Sequence, residues 1–151
     1  MAAHYLTVTW ERFHEDAGAL AARLSGRGPW KGIVAVSRGG LIPAAIVARA
    51  LKLRLVESVS VSTYDQEQSG AEEVIGVPVV TKMPAAAGDG EGFLIIDDLV
   101  DSGTTAKVVR AMLPKALFAC VYAKPAGRPM ADVVLTEVSQ DTWIVLPWEA
   151  S

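Results

Sequence analysis

The sequence predicts an α/β protein, with a mostly parallel sheet and helices on both of its faces. Three short, continuously apolar runs, 32–36, 93–96 and 117–123, read as strands buried on both sides. The first two each enter a polar, glycine-bearing turn and then a helix-like stretch, the repeat expected of parallel strands joined by crossover helices. At 151 residues, 51% of them hydrophobic, the chain holds one domain, 1–151, with a sizeable core. No internal repeat or separable linker divides it.

The first helix begins near Trp10. Trp10, Phe13, Ala17, Leu20, Ala21 and Leu24 recur at three- and four-residue spacing on one helical face, with Thr9 as N-cap. The run 25–29, rich in Gly and ending in Pro, stops it. The strand at 32–36 enters Ser37-Arg38-Gly39-Gly40, and a helix follows over 41–51, with Pro43 in its first turn. A strand over 54–63 leads to a polar stretch, 64–71, read as a mobile loop or hairpin tip. The β-rich segment 74–83, interrupted by Gly76 and Pro78, suits an edge strand or bulge. Residues 84–92 are expected to form a flexible connector. After the strand at 93–96 and a helix at 104–113, Pro114 resets the chain into the strand at 117–123. Lys124 stands at the end of that strand, a further strand is expected over 132–138, and the chain closes through Trp143 and Trp148.

The net charge of −3 argues against a large nucleic-acid footprint. The single cysteine, Cys120, lies in an apolar run, which favours core packing in a reducing compartment over a reactive thiol. No apolar run approaches membrane-spanning length and no leader-like apolar region opens the chain, so a soluble, cytoplasmic protein is expected. With only His4 and His14, a histidine metal site or triad is disfavoured.

Chemistry concentrates in residues 93–105. Asp97 and Asp98 stand where the apolar strand should end, and Asp101 is followed by Ser102-Gly103-Thr104-Thr105 and a helix. Glycine permits close backbone approach to an anion, and the hydroxyls donate. The helix N-terminus adds roughly 0.3–1 kcal/mol of favourable dipole interaction. A phosphate would be repelled by the adjacent acids. These instead suit a pair of vicinal sugar hydroxyls, or a divalent cation held through oxygen and water. Arg38 with Gly39-Gly40 offers a second anion site. The implied ligand is a sugar with phosphate at one end, vicinal hydroxyls in the middle and another anionic group beyond.

Residues 93–105 resemble the thirteen-residue signature of the type I phosphoribosyltransferases, which bind phosphoribosyl pyrophosphate (PRPP). That signature is four apolar residues, two acids and a Thr/Ser/Gly-rich loop. Segments 30–33, 36–41, 88–93, 96–101, 123–129 and 140–144 extend the resemblance, to the purine members of the family, over nearly the whole chain. The resemblance implies the type I phosphoribosyltransferase fold, with a small hood subdomain and a mobile loop. It also implies transfer of 5-phosphoribosyl from PRPP to N9 of a 6-oxopurine in purine salvage. Xanthine or guanine would be favoured over hypoxanthine, giving XMP or GMP and pyrophosphate. A hypoxanthine-preferring enzyme and a non-catalytic PRPP-sensing regulator are the alternatives.

By the same resemblance Ser37, Arg38 and Gly39 form the pyrophosphate loop, beside which the family commonly carries a non-proline cis peptide. Asp97 and Asp98 take the ribose hydroxyls, Asp98 also Mg²⁺, and Ser102, Gly103, Thr104 and Thr105 bind the 5′-phosphate. Asp101 lies beside purine N7 as general acid/base. Lys124 donates to the 6-oxo oxygen, Trp143 stacks on the base, and the backbone of Ile144 reads its 2-position. A homo-oligomer is implied, a tetramer with a dimer as the alternative, in the cytoplasm or peripherally on the cytosolic face of the inner membrane. One departure stands out. Residues 65–73 carry four acids and no base, where relatives place a basic residue in the mobile loop, and Lys82 is the next base along the chain.

Overall fold

The computed structural model of the chain describes residues 4–64 and 77–149. Strand β1 (His4–Thr7) precedes helix α1 (Trp10–Ser25), where Thr9 Oγ1 accepts the Arg12 N–H at 3.1 Å as expected of the N-cap. Phe13, Ala17, Leu20, Ala21 and Leu24 are buried, as their spacing predicts. Trp10, placed on the same face, is 57% exposed and leans on Trp148, with ring centroids 5.9 Å apart. Trp148 in turn meets Phe13 edge-on at 4.9 Å.

Strand β2 (Gly32–Ser37) is followed by α2 (Leu41–Ala50) and β3 (Val56–Tyr64). Of the polar stretch 64–71 read as a mobile loop, residues 65–71 lie outside the described residues, as do residues 74–76 of the β-rich segment 74–83. Strands β4 (Val77–Lys82) and β5 (Phe93–Val100), helix α3 (Thr104–Met112), and strands β6 (Leu117–Ala123), β7 (Val133–Glu137) and β8 (Thr142–Val145) complete the order. Six strands form one sheet in the order β4-β3-β2-β5-β6-β7, parallel throughout except for the antiparallel edge strand β4. The register of β3 against β4 shifts at Ser60/Val61, which agrees with the edge-and-bulge expectation.

Alternate residues of the buried strands supply two cores. Ile33, Ala35, Leu94, Ile96, Ala119 and Val121 face α1 and α2, whereas Val34, Val36, Ile95, Phe118 and Cys120 face α3. From β2 the chain crosses through α2 to β3 on one side, and from β5 through α3 to β6 on the other. Strands β2 and β5 are neighbours, so the strand order reverses between them. Ligands of open α/β sheets bind in the crevice that opens at the carboxyl ends of such a pair.

Three expectations need correction. Strand β5 does not end before the acids: Asp97 pairs with Cys120, Leu99 with Tyr122 and Val100 with Ala123, so the ladder to β6 carries both acids inside the strand. The connector at 84–92 is ordered rather than loose. Gly88, Gly90 and Gly92 adopt positive φ, and the folded-back chain buries Ala87 and closes with Phe93 N–H on Gly90 O at 2.9 Å. Asp132 precedes β7, the edge strand beside β6, instead of opening it. Its carboxylate takes two bonds from Arg110, at 2.7 and 3.0 Å, and one from Phe118 N–H at 2.8 Å.

Strands β1 and β8 form a separate two-stranded parallel sheet, the hood, with Tyr5 beside Trp143 and Leu6 beside Ile144. Among the described residues no helix is long and apolar enough to cross a membrane.

Candidate active site

The reversal between β2 and β5 brings residues 37–39 and 97–105 to one crevice. A cavity of about 290 Å³ there is lined by Ser37, Gly39, Asp97, Asp98, Asp101, Ser102, Gly103, Thr104 and Thr105, together with apolar neighbours. An adjoining hollow of about 620 Å³ is bounded by Arg38, Gly39, Ile42, Asp98, Trp148 and Glu149. Arg38 therefore stands on the far side of the Gly39 turn from the hydroxyl loop. The Ser37–Arg38 peptide is cis, the feature that the family resemblance implies.

Close packing makes this turn glycine-dependent. A Cβ on Gly40 would sit 2.5 Å from Val36 O and 2.6 Å from Ile96 O, so α2 starts directly on the backbone of both strands. A Cβ on Gly39 would collide with the Asp98 carboxylate. Ser37 Oγ and Ser60 Oγ share a hydrogen bond at 2.5 Å, which ties the loop to β3.

The two adjacent acids differ in environment. Asp97 is buried, and its Oδ1 accepts the Asp98 N–H at 2.8 Å. Burial, and then the neighbouring Asp98 charge, push its carboxyl well above the usual range. Asp98 is half-buried and faces the Gly39 turn, with Oδ1 accepting the Leu99 N–H at 2.7 Å. No cluster of three or more metal-ligating side chains occurs among the described residues. One or two carboxylates opening on a phosphate-sized cavity suit Mg²⁺, which keeps waters and takes substrate oxygens as its remaining ligands. The donor set fits a cation that arrives with its substrate.

Helix α3 opens on Gly103, at φ 89°, and a glycine cap has no side chain to occupy the first-turn N–H groups. Thr104 N–H reaches Ser102 Oγ at 3.4 Å, and Ser102 and Thr104 share a hydroxyl bond at 3.1 Å. No acid lies in the first turn, so the helix end stays receptive to an anion.

At the other end of the loop, Asp101 Oδ2 lies 3.2 Å from Lys124 Nζ, and its Oδ1 accepts Gln140 Nε2 at 2.9 Å. Lys124 is itself buried, held where β6 ends by its N–H on Val100 O at 2.9 Å. Trp143 does not line either cavity. It stands on the hood, 63% exposed, while the Ile144 side chain is buried in the core and its backbone pairs beside Leu6 of β1.

Local sequence leaves two residues, Gln140 and Lys82, without a place. Gln140 carried no role, although it heads the segment that leads into Trp143; a polar side chain just ahead of a hood strand gives no local sign of its partner. Lys82 is bound at the sheet edge to Glu57 Oε1 at 2.7 Å, Ser58 O at 3.0 Å and Met83 O at 3.3 Å, so it is no replacement for the missing loop base.

Residues 9–151 match the phosphoribosyl transferase domain family. A xanthine-guanine phosphoribosyltransferase of Gluconobacter oxydans is 58% identical over 149 residues, 98% of this chain and 86% of the relative. One from Nitratidesulfovibrio vulgaris is 56% identical over 144 residues, covering 95% and 83%. The crystal structure of a purine phosphoribosyltransferase from Pyrococcus horikoshii superposes with a TM-score of 0.79 at 28% identity, covering 97% of this chain and 95% of that one.

Proposed function

The chain belongs to the phosphoribosyltransferase family, and we propose that it transfers the 5-phosphoribosyl group of PRPP to N9 of xanthine or guanine. The products are XMP or GMP and pyrophosphate, and hypoxanthine is the poorer substrate. The observation that carries this reading is the Asp101–Lys124 pair at 3.2 Å, in which Asp101 lines the cavity of the hydroxyl loop and the buried lysine stands behind it as a donor.

In the reaction the C1–O bond to pyrophosphate breaks as the C1–N9 bond forms, through a transition state of oxocarbenium character. The enzyme's work is alignment and charge stabilisation. Ser102 to Thr105 and the α3 N-terminus hold the 5′-phosphate. Asp97 and Asp98 take the ribose hydroxyls, and Ser37, Arg38 and Gly39 the pyrophosphate. Asp98 would hold Mg²⁺, which when bound would supply charge stabilisation for the pyrophosphate leaving group. Asp101 accepts the proton that the purine loses from N7. Lys124 donates to the 6-oxo oxygen, Trp143 stacks on the ring from the hood, and the Ile144 backbone reads the 2-position.

The same reading makes the protein a cytoplasmic homo-oligomer, whose mass light scattering measures. The test of function is a PRPP- and Mg²⁺-dependent assay across xanthine, guanine, hypoxanthine, adenine and orotate. Turnover is expected with xanthine and guanine, and removal of Mg²⁺ by chelation abolishes it. PRPP binding without turnover of any 6-oxopurine overturns the reading in favour of a PRPP sensor.

A further inference from the structure

The Asp101 carboxylate is held from both sides, and the second hold comes from outside the phosphate loop. Gln140 Nε2 donates to Asp101 Oδ1 at 2.9 Å, while Gln140 Oε1 accepts the backbone N–H of Ala126 at 2.9 Å. The orientation of this amide follows from its partners. A carboxylate only accepts and a backbone N–H only donates, so the nitrogen must face Asp101 and the oxygen Ala126. Few side chains can bridge such a pair, because the bridge needs a donor and an acceptor at its tip. An ionised glutamate has no donor, and a leucine has neither.

Both anchors of this bridge serve the purine end of the site. Ala126 belongs to the turn in which Gly127 N–H and Arg128 N–H close on Lys124 O at 3.1 and 2.9 Å, so it moves with Lys124. Gln140 itself sits in a tight turn, with Thr142 N–H on Ser139 O at 3.0 Å, directly before the strand that carries Trp143. One amide therefore joins the acid beside the purine, the turn below the lysine and the entry to the stacking strand.

We propose that Gln140 is a positioning residue for phosphoribosyl transfer, which orients the Asp101 carboxylate toward the purine imidazole and links it to the Lys124 turn. This rests on the reading of Asp101 as the proton acceptor. With Lys124 on Oδ2 and Gln140 on Oδ1, both carboxylate oxygens are engaged, although the side chain is 55% exposed. The charged groups around Gln140 are Asp101, Lys124 and Asp141, the last turned away onto Ser139 Oγ at 2.5 Å and His4 at 3.7 Å.

The test is steady-state kinetics of the intact enzyme with xanthine and guanine, comparing Gln140→Leu, Gln140→Glu, Asp101→Asn and the double variant Gln140→Leu/Asp101→Asn. Misorientation of a reacting group costs up to about 10²-fold. Gln140→Leu is expected to lower kcat about tenfold or more, leaving the KM for PRPP within about twofold of the parent. In Asp101→Asn the same leucine should cost little further, because it acts through the missing carboxylate. Gln140→Glu supplies a donor only while protonated, so its activity relative to the parent should be highest at acidic pH and decline as the pH rises. A Gln140→Leu enzyme with the parent's kcat overturns the inference alone, as does full additivity with Asp101→Asn or a Gln140→Glu profile parallel to the parent's. A parent enzyme that turns over no 6-oxopurine overturns the reading beneath it.

Discussion

Lys124 Nζ lies 3.2 Å from Asp101 Oδ2, with the lysine side chain 9% exposed and the aspartate 55% exposed. The pair joins a buried cation to an acid at the crevice mouth. Because the acid is half in water, the pair adds little to stability. It sets the direction of the lysine's remaining donors instead. A 6-amino group presents a donor to them where a 6-oxo group presents an acceptor, and hydrogen-bonding sites of this kind discriminate by up to about 10⁴–10⁵. Lys124→Ala should therefore cut the guanine-over-adenine preference in kcat/KM by at least about tenfold, equivalent to about 1.4 kcal/mol. An unchanged preference removes the lysine from base recognition.

Gly39 is the closest approach of the Arg38 turn to Asp98. A Cβ there would lie against both carboxylate oxygens, with Asp98 Oδ1 already committed to Leu99 N–H at 2.7 Å. Gly39→Ala should displace Asp98 from its place between the pyrophosphate turn and the ribose cavity. The expected result is a KM for PRPP raised about tenfold, or about 1.4 kcal/mol, with little change in the KM for guanine. Equal increases for both substrates would point to a general distortion of the fold.

Glu57 carries the clearest pH signature outside the crevice. Its carboxylate accepts Lys82 Nζ at 2.7 Å, Ala86 N–H at 3.1 Å and Ser58 N–H at 3.0 Å, and these bonds, Lys82 first, lower its pKa from 4.5 to about 2. A group with a depressed folded pKa stabilises the fold above its unfolded value, and that contribution fades as pH falls toward the folded value. Thermal melts of Glu57→Gln should thus show a lower Tm than the parent at pH 7. The gap should narrow between pH 4.5 and about 2. A gap independent of pH would assign the loss to packing.

Cys120 should be inert in the native protein. It is fully buried on β6, and burial, then the Asp97 charge, push its thiol pKa up. A thiol reagent at pH 8 is expected to label the protein only after denaturant is added. Fast labelling of the folded enzyme would show that β6 opens locally.

The succession of elements from α1 to β7 and the hydroxyl-glycine loop at 102–105 were legible in the sequence because each is a local pattern, whereas the short hood strands β1 and β8 were not. Continuous apolar runs mark strands buried on both faces, three- and four-residue spacing marks α1, and a glycine followed by hydroxyls marks an anion-ready helix start. The length of β5 was not legible: two adjacent acids look like an exit from the core until the ladder to β6 shows them paired inside it. Nor was the strand order. Residues 37–39 meet residues 97–105 only because β2 lies beside β5, and ladder pairing between strands about sixty residues apart leaves no mark in either segment. The same holds for single side chains. The place of Lys82 is set by Glu57, 25 residues earlier, and Gln140 acquires a role only through Asp101, 39 residues away. Propensity and periodicity act over a few residues and write themselves into composition. A hydrogen-bond partner is fixed by register and crossover, and these exist only once the sheet has formed.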